Sequence, residues 1–168
     1  MEAGIPAGVF NVVQGYGKEI GSALVAHPDI NRISFTGSVP TAKVIARAAA
    51  DNLTPCSFEL GGKSPMIVLE DADLDLAAEI AVEQYDNAGQ VCLSGTRIFV
   101  HESLADEFAK KFGEKAAAIK QGDPRDEGTD IGPQIHQVHF DRVKGFVDRA
   151  KAEGQEIVWG GEPNEELG

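Results

Sequence analysis

One stretch carries a side chain able to do covalent chemistry: Asn87-Ala88-Gly89-Gln90-Val91-Cys92-Leu93-Ser94-Gly95. A thiolate is a strong nucleophile, and a cysteine set in small, turn-forming residues at the boundary of two elements is both held and reachable. A lone cysteine also packs as a small hydrophobe, so Cys92 alone leaves both readings open. A second motif adds a proton acceptor. Phe58-Glu59-Leu60-Gly61-Gly62-Lys63-Ser64-Pro65 sets Glu59 33 residues before Cys92, at the exit of an apolar run. A carboxylate ending an apolar strand is expected to be poorly solvated, the condition for a general base; the other reading is a surface glutamate. A third motif, Phe35-Thr36-Gly37-Ser38, runs straight into a helical pattern. The first N–H groups of such a helix point outward with the positive end of its dipole and suit a phosphate. Ser38 caps that helix, offers its hydroxyl to a ligand, or does both.

In this order and at these gaps, the three motifs resemble the aldehyde dehydrogenase superfamily, NAD(P)-dependent and non-acylating. The resemblance runs nearly end to end, while family members are much longer, so the chain looks like the middle of an enzyme. It implies Cys92 as nucleophile and Glu59 as general base. It also implies cofactor contacts from Phe35, Thr36, Gly37, Ser38, Leu60 and Gly61, with the segment around Gly17 beside the adenine. Residues 1–60 then form the C-terminal part of an NAD(P)-binding domain and residues 61–168 the N-terminal part of a catalytic domain. The implied reaction oxidises an aldehyde, with a faint lean toward a semialdehyde, to a carboxylic acid through a thiohemiacetal and a thioester. NAD or NADP is the cofactor and the parent enzyme is a homo-oligomer. Glu59 argues against the relatives that release acyl-coenzyme A. Where many relatives carry a second glycine this chain has Ala42, whose methyl is expected to crowd the cofactor only slightly. The family's asparagine oxyanion donor and its ribose-holding lysine and glutamate fall outside the 168 residues, so little turnover is expected of the isolated chain. Two rival readings stand beside this one: a noncatalytic piece that associates with a partner chain, and a thiol-dependent acyl-transfer enzyme that uses Cys92 and Glu59 without hydride transfer.

The elements that must position these residues alternate. Gly8 to Val13 reads as a short buried strand. Gly15, Gly17 and Gly21 then form G-x-G-x-x-x-G before a helical pattern that ends near Pro28. No acidic residue closes the next strand to hold a ribose, which favours a plain tight turn over a phosphate loop. Asn31–Thr36 and Thr54–Leu60 read as strands around a helix from Val39 to Asp51. Met66–Leu69 is a strand, and Leu74 to Asp86 a helix leading to the Cys92 stretch. Its acidic start, Asp71, Asp73 and Asp75, lacks the glycine and distal glutamate of a calcium loop and reads as a helix N-terminus. Arg97–Val100 is a strand and Leu104–Ile119 an amphipathic helix with Phe108 and Phe112 on its apolar side. His136 and His139 read as solvated residues of a further helix that runs to Glu153, there being no third ligand nearby to make a metal site. Glu156–Trp159 reads as a last strand. The alternation predicts α/β architecture: a Rossmann-like parallel sheet segment followed by the start of a second α/β domain.

Composition excludes several partners. A formal net charge of −12 works against attraction to nucleic acid or to an anionic membrane surface. With 42% hydrophobic and 25% charged residues the chain reads as water-soluble, and no apolar run is long enough to span a bilayer. Its two cysteines, Cys56 and Cys92, fit neither a metal-ligand spacing nor a secreted disulfide framework. With no basic start followed by an apolar block, the expected location is the cytoplasm.

Overall fold

The run Ile33-Ser34-Phe35 and the run Cys56-Ser57-Phe58 are rich in β-branched, aromatic and small residues, and each opens a strand. In the computed structural model, which describes residues 3–164, they form β1 (Ile33–Gly37) and β2 (Cys56–Leu60), paired in parallel. A parallel pair needs a long crossover, and the residues between supply a helix. The chain divides into two compact units, Met1–Gly61 and Gly62–Gly168, each with one such strand–helix–strand arrangement.

In the first unit a π-helical turn, Gly17–Gly21, leads into the short α1 (Ser22–Val25), and α2 (Val39–Ala50) makes the crossover. Ala42, Ile45 and Ala49 fall on one face of α2 at helical spacing and are buried. Ile45 and Ala49 pack with Ile33, flanked by half-buried Val25, Ile30, Phe35, Cys56 and Phe58. Two side chains tie the turn after α2 to the segment after α1: Asn52 Nδ2 donates to Ala26 O at 2.9 Å and Thr54 Oγ1 to Ile30 O at 3.3 Å.

In the second unit β3 (Pro65–Val68) pairs in parallel with β4 (Arg97–Val100), and α3 (Leu74–Val82) lies in the connection. Asp73 caps α3, its carboxylate accepting from Asp75 N and Leu76 N, so the acidic cluster does start a helix. The small buried face Ala77, Ala78, Ala81 admits the ring of Phe108 from α4 (Ala105–Ala117), with Val68 of the sheet completing the core. Lys111 of α4 donates to Asp75 at 2.7 Å across the same helix pair. His136 caps α5 (Gln137–Ala152), its Nδ1 accepting from His139 N at 3.1 Å. It is therefore the residue before that helix, not part of it. Among the described residues no helix is long and apolar enough to cross a membrane, and no cluster of metal-ligating side chains occurs.

Three expected elements differ. Gly8 to Val13 is a turn, a bend and irregular coil with Val9, Phe10, Val12 and Val13 exposed, because no described strand stands beside it to take its backbone bonds. Glu156–Trp159 is likewise no strand: the Trp159 ring rests on α4 over Gly113, where a Cβ would come within 3.4 Å of it. The helix predicted to reach Asp86 tightens into a 3₁₀ segment at Glu83 and breaks at Asp86, which is extended.

Candidate active site

In the first unit the parallel register assembles the candidate residues with no side-chain bond between the strands. Thr36 lies opposite Glu59 and Gly37 opposite Leu60, so Phe35, Thr36 and Gly37 meet Glu59 and Leu60 at the C-terminal ends of β1 and β2. This is the edge of a parallel sheet where ligands bind in open α/β folds. Phe35 packs edge-on against Phe58 at 6.4 Å and folds over Gly37, where a Cβ would sit 2.6 Å from its ring. Ser38 follows with extended backbone and caps α2: its Oγ accepts from Thr41 N at 3.4 Å and lies 2.9 Å from the Thr41 hydroxyl.

Exposed Thr36, Gly37 and Ser38, the start of α2 and Gly61, which has open space where a Cβ would be, together make a polar strand-end cradle. That cradle fits a dinucleotide phosphate. Ala42 is 4% exposed, so its methyl is buried and is not presented to a ligand, contrary to expectation. Gly17 is not part of this register; it opens the π-helical turn and is exposed. Gly15 is required by packing, since a Cβ there would meet Ile20 Cγ1 at 2.4 Å, which agrees with the tight-turn reading.

Glu59 departs from expectation. It is the exposed residue of β2, between half-buried Phe58 and Leu60, so the strand does not bury its carboxylate. Strand alternation is the reason: with Phe58 and Leu60 turned toward one face, the residue between them points to the other.

In the second unit Cys92 lies in the return arm between α3 and β4. Asn87, Ala88 and Gly89 take left-handed backbone with φ of 49°, 56° and 73°. Asn87 and glycine accept that conformation readily, whereas for Ala88 it is strained by about 1–2 kcal/mol. Asp86 Oδ1 accepts from Asn87 N at 2.8 Å, and Gln90 Nε2 donates to Asn87 O at 2.9 Å. Ser94 N donates to Val91 O at 3.2 Å, closing a turn with Cys92 and Leu93 at its corner, both exposed above the buried Ser94. Among the described residues no hydrogen bond engages the Cys92 N–H, so it is available to an oxyanion.

Because β3 and β4 are parallel, the segments entering them are neighbours. Gly62 sits so close to the Cys92 loop that a Cβ would lie 2.9 Å from the Cys92 carbonyl oxygen. Arg97 holds this entry segment, its N–H donating to Ser64 O at 3.3 Å and its Nε to Lys63 O at 2.7 Å. Lys63 is an exposed loop charge whose Nζ donates to Gly62 O at 2.9 Å. Gln84 grips the far side of the loop, its Oε1 accepting from Gly95 N at 2.6 Å. Sequence reasoning passed over Gly62, Gln84 and Arg97 as actors. Nothing local distinguishes a glutamine or arginine that reaches across a loop from one that points to solvent.

Residues 1–168 match the aldehyde dehydrogenase family across their whole length. The chain belongs to the aldehyde dehydrogenase family. It is 44% identical over 164 residues to hydroxyisobutyraldehyde dehydrogenase from Mycolicibacterium austroafricanum, covering 97% of this chain and 32% of that protein. A mutant of the Bacillus cereus aldehyde dehydrogenase superposes with a TM-score of 0.93 at 40% identity, over 99% of this chain and 34% of that one. Aldehyde dehydrogenase C from Pseudomonas syringae, a mutant in complex with NAD+ and octanal, gives 0.89 at 40% identity, over 96% and 34%. The chain thus spans about a third of the length of the family relatives it matches.

Proposed function

We propose that this chain carries the nucleophile and the general base of an NAD(P)-dependent oxidation of an aldehyde to a carboxylic acid. One observation carries the reading: an exposed thiol at the corner of a braced turn, with its own N–H unengaged. The Cys92 thiolate attacks the aldehyde carbonyl, and its N–H donates to the oxyanion of the thiohemiacetal. NAD or NADP, when bound, would supply the acceptor for the hydride that leaves the thiohemiacetal carbon. The strand-end group Phe35, Thr36, Gly37, Ser38, Leu60 and Gly61 would hold the dinucleotide, its phosphates at the start of α2 and Gly17 toward the adenine end. Glu59 then takes a proton from the water that hydrolyses the Cys92 thioester, a transfer contributing about 10²–10⁴-fold. Residues 1–60 serve as cofactor-binding segment and residues 61–168 as catalytic segment. A reducing compartment, the cytoplasm, suits a chain whose two cysteines are both free.

The test sets the chain inside a full-length relative. This chain replaces the matched segment of the Bacillus cereus enzyme, and reduced-cofactor absorbance is followed with an aldehyde. A folded chimera that binds NAD+ but produces none, or one equally active after Cys92→Ala, contradicts the reading.

A second reading, association with further polypeptide, is favoured by the exposure of large apolar residues. Phe10 is 78% exposed, Ile67 66% and Phe99 54%. Sedimentation checks it: a lone monomer over a wide concentration range speaks against it.

A further inference from the structure

Gln84 and Gly95 are the two ends of the loop that carries Cys92, 11 residues apart, and their hydrogen bond at 2.6 Å closes it. Every other hydrogen bond inside the loop is local: Asp86 to Asn87, Asn87 to Gln90, Val91 to Ser94. Such bonds shape turns, but they leave the loop free to swing about its base. Loops of this length stay ordered when their ends are fastened and their interior is packed. Among the described residues, the amide of Gln84 makes the only hydrogen bond across that base.

The geometry around Gln84 is built for the task. The next residue, Tyr85, stacks on Phe112 at 6.1 Å, and Phe112 stacks on Phe108 at 6.0 Å, which anchors the backbone to α4. Gln84 Nε2 donates to Ile80 O at 2.9 Å while Oε1 accepts from Gly95 N. A flipped amide would set oxygen against oxygen and N–H against N–H, so the two partners fix its orientation. On the other side, Gly95 sits close against the sheet, since a Cβ would lie a tight 3.2 Å from Met66 Cβ and in ordinary contact, 3.7 Å, with Gln84 Oε1. The bond is part-buried, so water is a poor substitute for the acceptor.

We propose that Gln84 is the positioning residue of the nucleophile: by fastening Gly95 it holds the Cys92 turn in the attitude from which sulfur attacks a carbonyl. The proposal rests on the reading of Cys92 as nucleophile. It assigns to Gln84 no contact with substrate or cofactor; the residue acts through the backbone of the loop. A displacement of the attacking atom on the order of 1 Å costs about 10²-fold in rate, and loosening one hydrogen bond is expected to cost part of that.

The experiment uses the 168-residue chain and p-nitrophenyl acetate. The Cys92 thiolate bonds to the acetyl carbon, p-nitrophenolate leaves, and the thiol proton goes to buffer. Acetylation of Cys92 is read by peptide mass against half-buried Cys56 of the same chain. Exchange of the Gly95 amide is followed in parallel. Gln84→Met keeps length but removes the acceptor; Gln84→Glu keeps an acceptor for Gly95. Gln84→Met is expected to lower the Cys92-to-Cys56 ratio about tenfold and to raise Gly95 exchange about tenfold, as for loss of one hydrogen bond. Gln84→Glu, which keeps the acceptor for Gly95 but loses the donor to Ile80 O, restores both in part. Unchanged acetylation in Gln84→Met overturns the proposal, as does a loss that Gln84→Glu fails to restore or one matched by faster exchange throughout α3. If Cys92 of the unsubstituted chain reacts no faster than Cys56, the nucleophile reading itself fails, and Gly95 exchange still reports on the clamp.

Discussion

The two strand–helix–strand units solve the placement of chemical groups differently. In the first, the backbone does the work: parallel register alone sets Thr36 beside Glu59 and Gly37 beside Leu60. In the second, the connection after α3 abandons regular structure for left-handed residues and is braced from both sides, by Gly62 against the Cys92 carbonyl and by Gln84 against Gly95. A ligand that spans several strand ends needs an edge, and sheet pairing supplies one. A single sulfur that must attack one atom needs a fixed direction, and a turn gives direction only when something outside it holds it. The first arrangement tolerates side-chain changes that keep the pairing, whereas the second is sensitive to single atoms.

The largest expected effect lies in the second unit. In the chimeric enzyme Cys92→Ala abolishes aldehyde-dependent cofactor reduction, measured by absorbance; residual turnover above background would place the nucleophile elsewhere. Next comes the matching change in the first unit. Glu59→Gln leaves the first burst of reduced cofactor intact but slows turnover by about 10²–10⁴-fold, with acylated Cys92 accumulating in the mass spectrum. A lost burst would mean that Glu59 acts before the thioester forms.

Phe108→Ala removes the ring between the alanine face of α3 and the sheet and is expected to destabilise the second unit by about 3–5 kcal/mol in chemical denaturation. Gly62→Ala sharpens the contrast between register and brace. Its added methyl must push the Cys92 carbonyl, so acetylation of Cys92 falls about tenfold with little change in denaturation midpoint.

The smallest effect is electrostatic. A hydrogen bond from Lys111, aided by its charge, holds the Asp75 carboxyl below the ordinary value of 3.8; the same bond holds Lys111 above 10.5. The contribution of Asp75 to stability is therefore present above pH 3.8 and lost as pH falls through its lower folded value. That of Lys111 is present below pH 10.5 and lost as pH rises through its higher folded value. Asp75 is exposed and Lys111 only half-buried, so solvent screens the pair; the difference between the chain and Asp75→Asn is small, and it shrinks at both extremes of a melting-temperature profile.

Much of this was legible in the residues. Ile33–Gly37 and Arg97–Val100 announce themselves as strands by β-branched and aromatic content, and Ala42, Ile45 and Ala49 give a helix its inner face. Gly8 to Val13 and Glu156–Trp159 misled, because their apolar residues look like strands that need neighbours, and none stands beside them among the described residues. The exposure of Glu59 was misjudged because an apolar run says that a strand is buried somewhere, not which side of it faces inward.

Local chemistry by itself determined the parallel α/β plan and the candidate groups Cys92, Glu59 and the turn at Gly37 and Ser38, since periodicity, turn residues and side-chain reactivity are properties of short segments. Only the tertiary structure decided that Gly62 must lack a side chain and that Gln84 fastens Gly95. Those contacts join residues whose nearness is created by the parallel pairing of β3 with β4 and by the break of the helix at Asp86, and no short segment encodes either alone.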